Sequence, residues 1–223
     1  MDWLELVLPF SDTASPVGGY AHSFGLEGLV QSGAVIGAEG LRRFLLREVK
    51  MTLLRVDLPV LNLAYQAAVE GKGSEVRRLD ELARAMRPTR EAREAGAKVG
   101  KAQWRLFEKN WAEKGGHDWR GEFVDFQAPV VAGVVFGLSG VPVEAGMRVL
   151  VFQTCSGIVQ AALKLLPIGP LAGQELLREA MKETGLELEE VMLRGGDELG
   201  TFSPEWDVAC ARHETAEARL FLS

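Results

Sequence analysis

The sequence is poor in the residues that most protein chemistry draws on. Two cysteines, Cys155 and Cys210, and three histidines, His22, His117 and His213, occur among 223 residues. Two cysteines cannot make a disulfide framework, and both sit in apolar surroundings, so they are expected to be reduced core thiols. Three scattered histidines cannot build a histidine-rich metal site. No G-x-x-x-x-G-K-[ST] loop is present to cradle nucleotide phosphates, and the dinucleotide fingerprint, H-E-x-x-H and G-x-S-x-G are absent as well. Basic blocks are missing too: 25 Lys and Arg stand against 31 Asp and Glu, a net charge of −6, which excludes the concentrated cationic face that nucleic acid requires. No uninterrupted apolar run reaches the roughly 20 residues that span a bilayer. The longest apolar stretch, 128–166, is cut by Ser139-Gly140-Val141-Pro142 and carries Glu144, Arg148 and Lys164. Met1-Asp2-Trp3-Leu4-Glu5 lacks the basic-then-apolar order of a signal peptide. The expectation is a soluble, cytoplasmic protein that contacts neither nucleic acid nor membrane.

What the sequence does have is helical periodicity, with almost no apolar/polar alternation of the strand kind. Leu41, Leu45, Val49, Leu53 and Val56 recur at three- and four-residue steps with arginines between them, which predicts an amphipathic helix. A second helical stretch is expected over Pro59–Val69, ending at Gly71-Lys72-Gly73. Ser74 is a candidate cap for the next helix, whose buried stripe is Val76, Leu79, Leu82 and Met86. Thr89 is the candidate N-cap of a long helix over Arg90–Trp111. The loop-like stretch 110–122 is too short for an interdomain linker. The valine-rich run Pro129–Leu138 suits a buried strand on propensity alone, yet Gly133 and Gly137, four apart, would line one smooth groove if it were helical. Pro142 and Pro170 suit the first turns of two further helices, and Ser203-Pro204 reads as N-cap and N1 of a last one. The fold class expected is all-α: one helical bundle of about ten helices over 1–223, with 194–223 as a flexible C-terminal tail.

Few constellations carry chemistry. Cys210-Ala211-Arg212-His213, followed by Glu214, sets a thiol and an imidazole one helical turn apart, two or three ligands where a tetrahedral site needs three or four. A core cysteine beside a surface histidine is the plainer account. Glu91 lies among Arg90 and Arg93 as a solvated charge pair or, with His22 or His213, as an acid or base of an enzyme site. Lys164, near the end of an apolar helix, is either a C-terminal charge favoured by the helix dipole or an exposed cation on an apolar interface. Ser15-Pro16-Val17-Gly18-Gly19-Tyr20 places two glycines just before a helix, either as a tight packing corner or as an anion-binding turn.

These segments together resemble a family. Pro16-Val17-Gly18-Gly19-Tyr20-Ala21-His22-Ser23-Phe24-Gly25-Leu26-Glu27 is similar to the N-terminal signature of the UreF family of urease accessory proteins. Thr89-Arg90-Glu91-Ala92-Arg93 with Gly100, Pro129-Val130-Val131-Ala132-Gly133, and Lys164-Leu165-Leu166-Pro167-Ile168-Gly169 with Gly173-Gln174 resemble its later blocks. Ser203-Pro204, Ala211-Arg212-His213-Glu214-Thr215, Arg219-Leu220-Phe221 and Ser223 resemble its tail. The blocks appear in order across the whole chain. The resemblance implies an all-helical homodimer without catalysis or cofactor. Such a protein binds the UreD/UreH scaffold and recruits the GTPase UreG for nickel insertion into apo-urease. It also implies a partner-facing set made of Tyr20, His22, Glu27, Asp57, Glu91, Lys164, Arg212, His213, Glu214 and Arg219, the last four in a tail that orders when the scaffold docks. A chaperone that itself carries nickel through Cys210, His213 and Glu214 is the alternative. The chain departs from the family pattern at Gln127, Ala128, Pro170, Glu217 and Ala218, and the histidine usual before Pro129 is absent, which lowers the expectation that this subunit handles nickel.

Overall fold

The computed structural model describes residues 2–12, 23–112, 117–201 and 203–213. Among them there are ten helices and no strand. They are α1 (Trp3–Ser11), α2 (Leu26–Gln31), α3 (37–69), α4 (Gly73–Ala85), α5 (Arg90–Asn110), α6 (Ala128–Leu138), α7 (Val143–Leu165), α8 (Pro170–Gly185), α9 (Leu188–Met192) and α10 (Pro204–His213). Short 3-10 turns lie at Trp119–Glu122 and Gly196–Glu198. The all-α bundle expected from the periodicity is what forms.

The long helix α3 does not break before Pro59. It runs on through two wide π turns, Leu45–Val49 and Leu53–Asp57. The repeat of the apolar residues explains why. A four-residue step overshoots a 3.6-residue turn by about 40°, so a straight helix would carry Leu41, Leu45, Val49 and Leu53 progressively around its axis. Wider turns absorb the drift, and all four side chains are buried. Pro59 has no N–H to offer the Arg55 carbonyl four residues back. The backbone N–H of Gly200 donates to that oxygen instead, at 3.1 Å, and ties the segment before α10 to the middle of α3.

Valine-rich α6 is a helix and not the strand its propensity allows. Tertiary packing overrides propensity here: the helix is buried from Pro129 to Phe136 and lies directly on α3. Gly133 makes that approach possible, because a Cβ there would stand 2.4 Å from the Leu61 carbonyl oxygen. Gly137 faces Tyr65 of the same helix one turn on, so the two glycines form the smooth groove that their spacing suggested.

The expected caps are mostly in place. Thr89 Oγ1 accepts from the Ala92 N–H at 3.2 Å, and Pro204 opens α10 after Ser203, whose carbonyl accepts from the Asp207 N–H. Ser74 is not a cap: α4 begins at Gly73 with Lys72 in the capping position, so Ser74 sits within the first turn.

The segment entering α6 is organised by a residue that no sequence pattern singled out. Asp80, on α4 and wholly buried, accepts hydrogen bonds from four consecutive backbone N–H groups. Its Oδ2 takes those of Val124, Asp125 and Phe126 at 2.8, 2.7 and 3.0 Å, and its Oδ1 takes that of Gln127 at 2.7 Å. The carboxylate, supplied from another helix, gathers the backbone that leads into α6 and lies near that helix's N-terminal end, where a negative charge is favoured. It also holds Phe126 at a φ of +61°, a conformation uncommon for a residue with a Cβ. The carbonyl of Phe126 presses on Gly100 of α5, where a Cβ would fall 1.9 Å from it.

By length and composition α7 could cross a membrane, yet 67% of its apolar window is buried inside the bundle. Its apolar surface is core.

Candidate partner-docking site

The residues expected to face partners fall on separate elements. Glu27, in the first turn of α2, is buried and accepts from Gln31 Nε2 at 3.4 Å. Asp57, in the second wide turn of α3, is also buried, and Arg87 donates to its carboxylate. Burial pushes the Asp57 carboxyl up from its ordinary value, while the Arg87 charge pulls it back. Glu91 is half-buried in the first turn of α5, where the helix dipole favours a carboxylate. Lys164 is exposed in the last turn of α7. Just beyond it the α7–α8 corner carries exposed Pro167 and, at 82% exposure, Leu171. The place of Lys164 in the last turn of α7 lets it complement the carbonyl end of that helix. Arg212 is exposed on α10, and His213 ends that helix. Tyr20, His22, Glu214 and Arg219 lie outside the described residues, as does the side chain of His213.

Cys155 is buried on α7, and burial pushes its thiol up to about 12, so it is the inert core thiol expected. Cys210 is half-buried on α10. Among the described residues no three His, Cys, Asp or Glu side chains gather as a metal site.

Sequence reasoning gave no hint of the cavity, about 310 Å³, that opens between α1, α3, α5, α6, α7 and α10. Its apolar walls include Phe10, Leu53, Val99, Leu150 and Trp206. Among the described residues, Asp57 is the one member of the expected partner-facing set that reaches it. On α5 its wall is made of small residues, Ala92, Ala95 and Gly96, all half-buried. The other wall is fixed by Trp206, whose Nε1–H donates to the Phe24 carbonyl at 2.7 Å and whose ring stands edge-on to Phe44 at 5.2 Å. Arg87 is held at the rim by its pairing with Asp57, and its own carbonyl accepts from Arg93 Nη1 at 2.8 Å.

An outer ring of ion pairs ties the helices together. Arg42 on α3 meets Glu179 on α8, Lys50 meets Glu187 at the α8–α9 junction, and Arg84 on α4 meets Asp125. Such solvent-facing pairs add little to stability, because water screens them. None of these groups converges on a nucleophile or a general acid in the described residues.

The sequence profile of the UreF family matches residues 35–181. The urease accessory protein UreF of Enterobacter sp. (strain 638) is 32% identical over 219 residues, covering 97% of this chain and 96% of that protein. The UreF protein of Trichormus variabilis is 28% identical over 227 residues, covering 97% of this chain and 94% of its own. The bifunctional urease accessory protein UreEF of Bordetella bronchiseptica is 28% identical over 224 residues, spanning 99% of this chain but 52% of that longer protein. With its all-helical bundle and this extent of similarity, the chain belongs to the UreF family of urease accessory proteins, which are maturation factors and not enzymes.

Proposed function

We propose that the protein is an adaptor in urease maturation: together with a UreD/UreH scaffold it recruits the GTPase UreG for nickel insertion into apo-urease. The reading is supported most by family membership across nearly the full chain, joined to a bundle that exposes large apolar side chains such as Leu171, Leu186 and Leu193. Chemistry on GTP then belongs to the partner, in keeping with a sequence that has no phosphate loop. Lys164, exposed in the last turn of α7, is assigned to the UreG-facing surface, and Arg212, His213, Glu214 and Arg219 to the scaffold-facing tail. Tyr20, His22, Glu27, Asp57 and Glu91 shape the remaining contact region. The protein acts as a homodimer in the cytoplasm. The fusion of two accessory functions in the Bordetella UreEF protein supports a place among accessory partners.

The test is reconstitution. Mixing with UreD/UreH gives a stable complex, and that complex captures UreG. Lys164→Ala, an exposed change, leaves the helical content and Tm as they are and weakens UreG capture by about fivefold, the size of a partly exposed charge contact. Unchanged capture by the folded variant removes Lys164 from the site, and failure of the wild-type chain to bind the scaffold removes the adaptor role.

A further inference from the structure

The cavity between α3, α5 and α10 has a chemical character that says what fits it. Among the described residues four charged side chains line it: the carboxylates of Asp12, Asp57 and Asp207, and the guanidinium of Arg87. Asp57 is neutralised by Arg87. Asp207 instead meets the like charge of Glu48, and burial and that neighbour both hold its carboxyl above the ordinary range. Deeper in, Gln103 is 1% exposed, and its Oε1 accepts no hydrogen bond within the described structure. A buried acceptor left open is costly, and a donor entering the cavity would remove that cost. Most of the remaining wall is apolar or aromatic, and the small residues of α5 leave the volume open.

We propose that this cavity is a socket for a lysine or arginine of a partner protein, set in an apolar segment, whose stem lies along Leu53, Val99 and Trp206 and whose N–H groups meet Gln103 and the carboxylate of Asp207. Long cationic side chains bury their methylene stems against apolar surface while the charged end keeps polar partners. Aromatic walls also favour a cation. A divalent metal ion fits less well, because it needs three or more oxygen, nitrogen or sulfur ligands and the described residues gather no such set. The inference rests on the adaptor reading only in taking the occupant to be a protein. It goes further in naming the chemistry of the contact and its place on the chain.

Two measurements test it on the full-length protein. In the first, pentylammonium stands in for the side chain, with pentanoate and nickel(II) as controls, followed by NMR at the Gln103 side-chain amide and the Gly96 backbone amide. Pentylammonium shifts both saturably, and pentanoate and nickel do not. Asp207→Asn weakens the response about two- to fivefold, as loss of one partly exposed charge contact should. No response to pentylammonium, an equal response to pentanoate, or a response to nickel alone overturns the proposal. In the second, binding to the UreD/UreH scaffold and to its complex with UreG is titrated for the wild type, for Asp207→Asn and for Ala95→Phe, which fills the cavity. At least one of these two affinities falls about tenfold or more in Ala95→Phe, a variant that retains helical content. Wild-type affinity for both partners in a folded Ala95→Phe chain, with pentylammonium binding intact in the wild type, would mean that the cavity holds a small cation and not a partner's side chain. Should the wild type itself bind neither partner, the adaptor reading fails, a result distinct from equal binding by wild type and variants.

Discussion

Replacing Asp80 by asparagine probes the contact on which the entry to α6 depends. The side chain keeps its shape, but one acceptor oxygen becomes an NH2 donor aimed at backbone N–H groups that are donors themselves. Four hydrogen bonds of 2.7–3.0 Å reach the carboxylate in a fully buried place. A hydrogen bond to a charged group contributes about 1.5–3 kcal/mol, but the four share one anion and do not add. The variant leaves at least one buried N–H without an acceptor and turns the other bonds into neutral ones, so the loss is about 3–5 kcal/mol. For a domain of this size each kcal/mol moves Tm by about 2–4 °C, giving a fall of about 6–20 °C. Thermal and urea unfolding followed by circular dichroism measure it. Glu81→Gln on the same helix, at an exposed position, serves as the control and changes stability by less than about 0.5 kcal/mol. Hydrogen exchange localises the effect: the amides of Val124, Asp125, Phe126 and Gln127 exchange slowly in the wild type and quickly in the variant. An Asp80→Asn protein that melts within about 1 °C of wild type, with those amides still protected, would refute the claim that this carboxylate organises the segment.

Other substitutions probe other contacts. Gly133→Ala puts a Cβ against the Leu61 carbonyl and must push α6 off α3, at about 1–3 kcal/mol; a Tm equal to wild type would show that the two helices separate freely. Arg87→Met leaves Asp57 buried without its cation and costs about 3–5 kcal/mol near neutral pH. The sign of its pH dependence follows from a carboxyl raised in the folded state. The native form then holds a proton that the unfolded form has released, so stability falls as pH rises from the unfolded value through the folded one. Removing Arg87 takes away the influence that lowers Asp57, so the variant's deficit shrinks on acidification as Asp57 takes up its proton. Urea titrations from neutral pH down through the carboxylate range check it, and a deficit that does not change with pH argues against the pairing.

Much of the fold was legible before any coordinates. The four-residue steps of Leu41, Leu45, Val49 and Leu53 marked the buried face of α3, and Thr89 and Ser203-Pro204 marked the starts of α5 and α10. Gly133 and Gly137 announced a close helix contact even while the valines around them pointed to a strand. Such signals are local, because capping and periodicity depend on residues within a few positions of one another.

What lay beyond the sequence depends on groups far apart in it. Asp80 reads as one more acidic residue on a charged helix until 44 to 47 positions later four backbone N–H groups converge on it. The Arg55 carbonyl finds its donor at Gly200, and Asp57 finds its cation at Arg87. Motif resemblance named Glu27 and Asp57, but nothing in their neighbourhood foretold that both would be buried. The cavity exists only where six helices leave space beside the small residues of α5. Short-range preferences, written residue by residue, decided that this chain is helical and where most of its helices begin. Long-range packing alone decided which polar groups meet and which surface stays open, because that energy belongs to pairs that come together only once the whole bundle has formed.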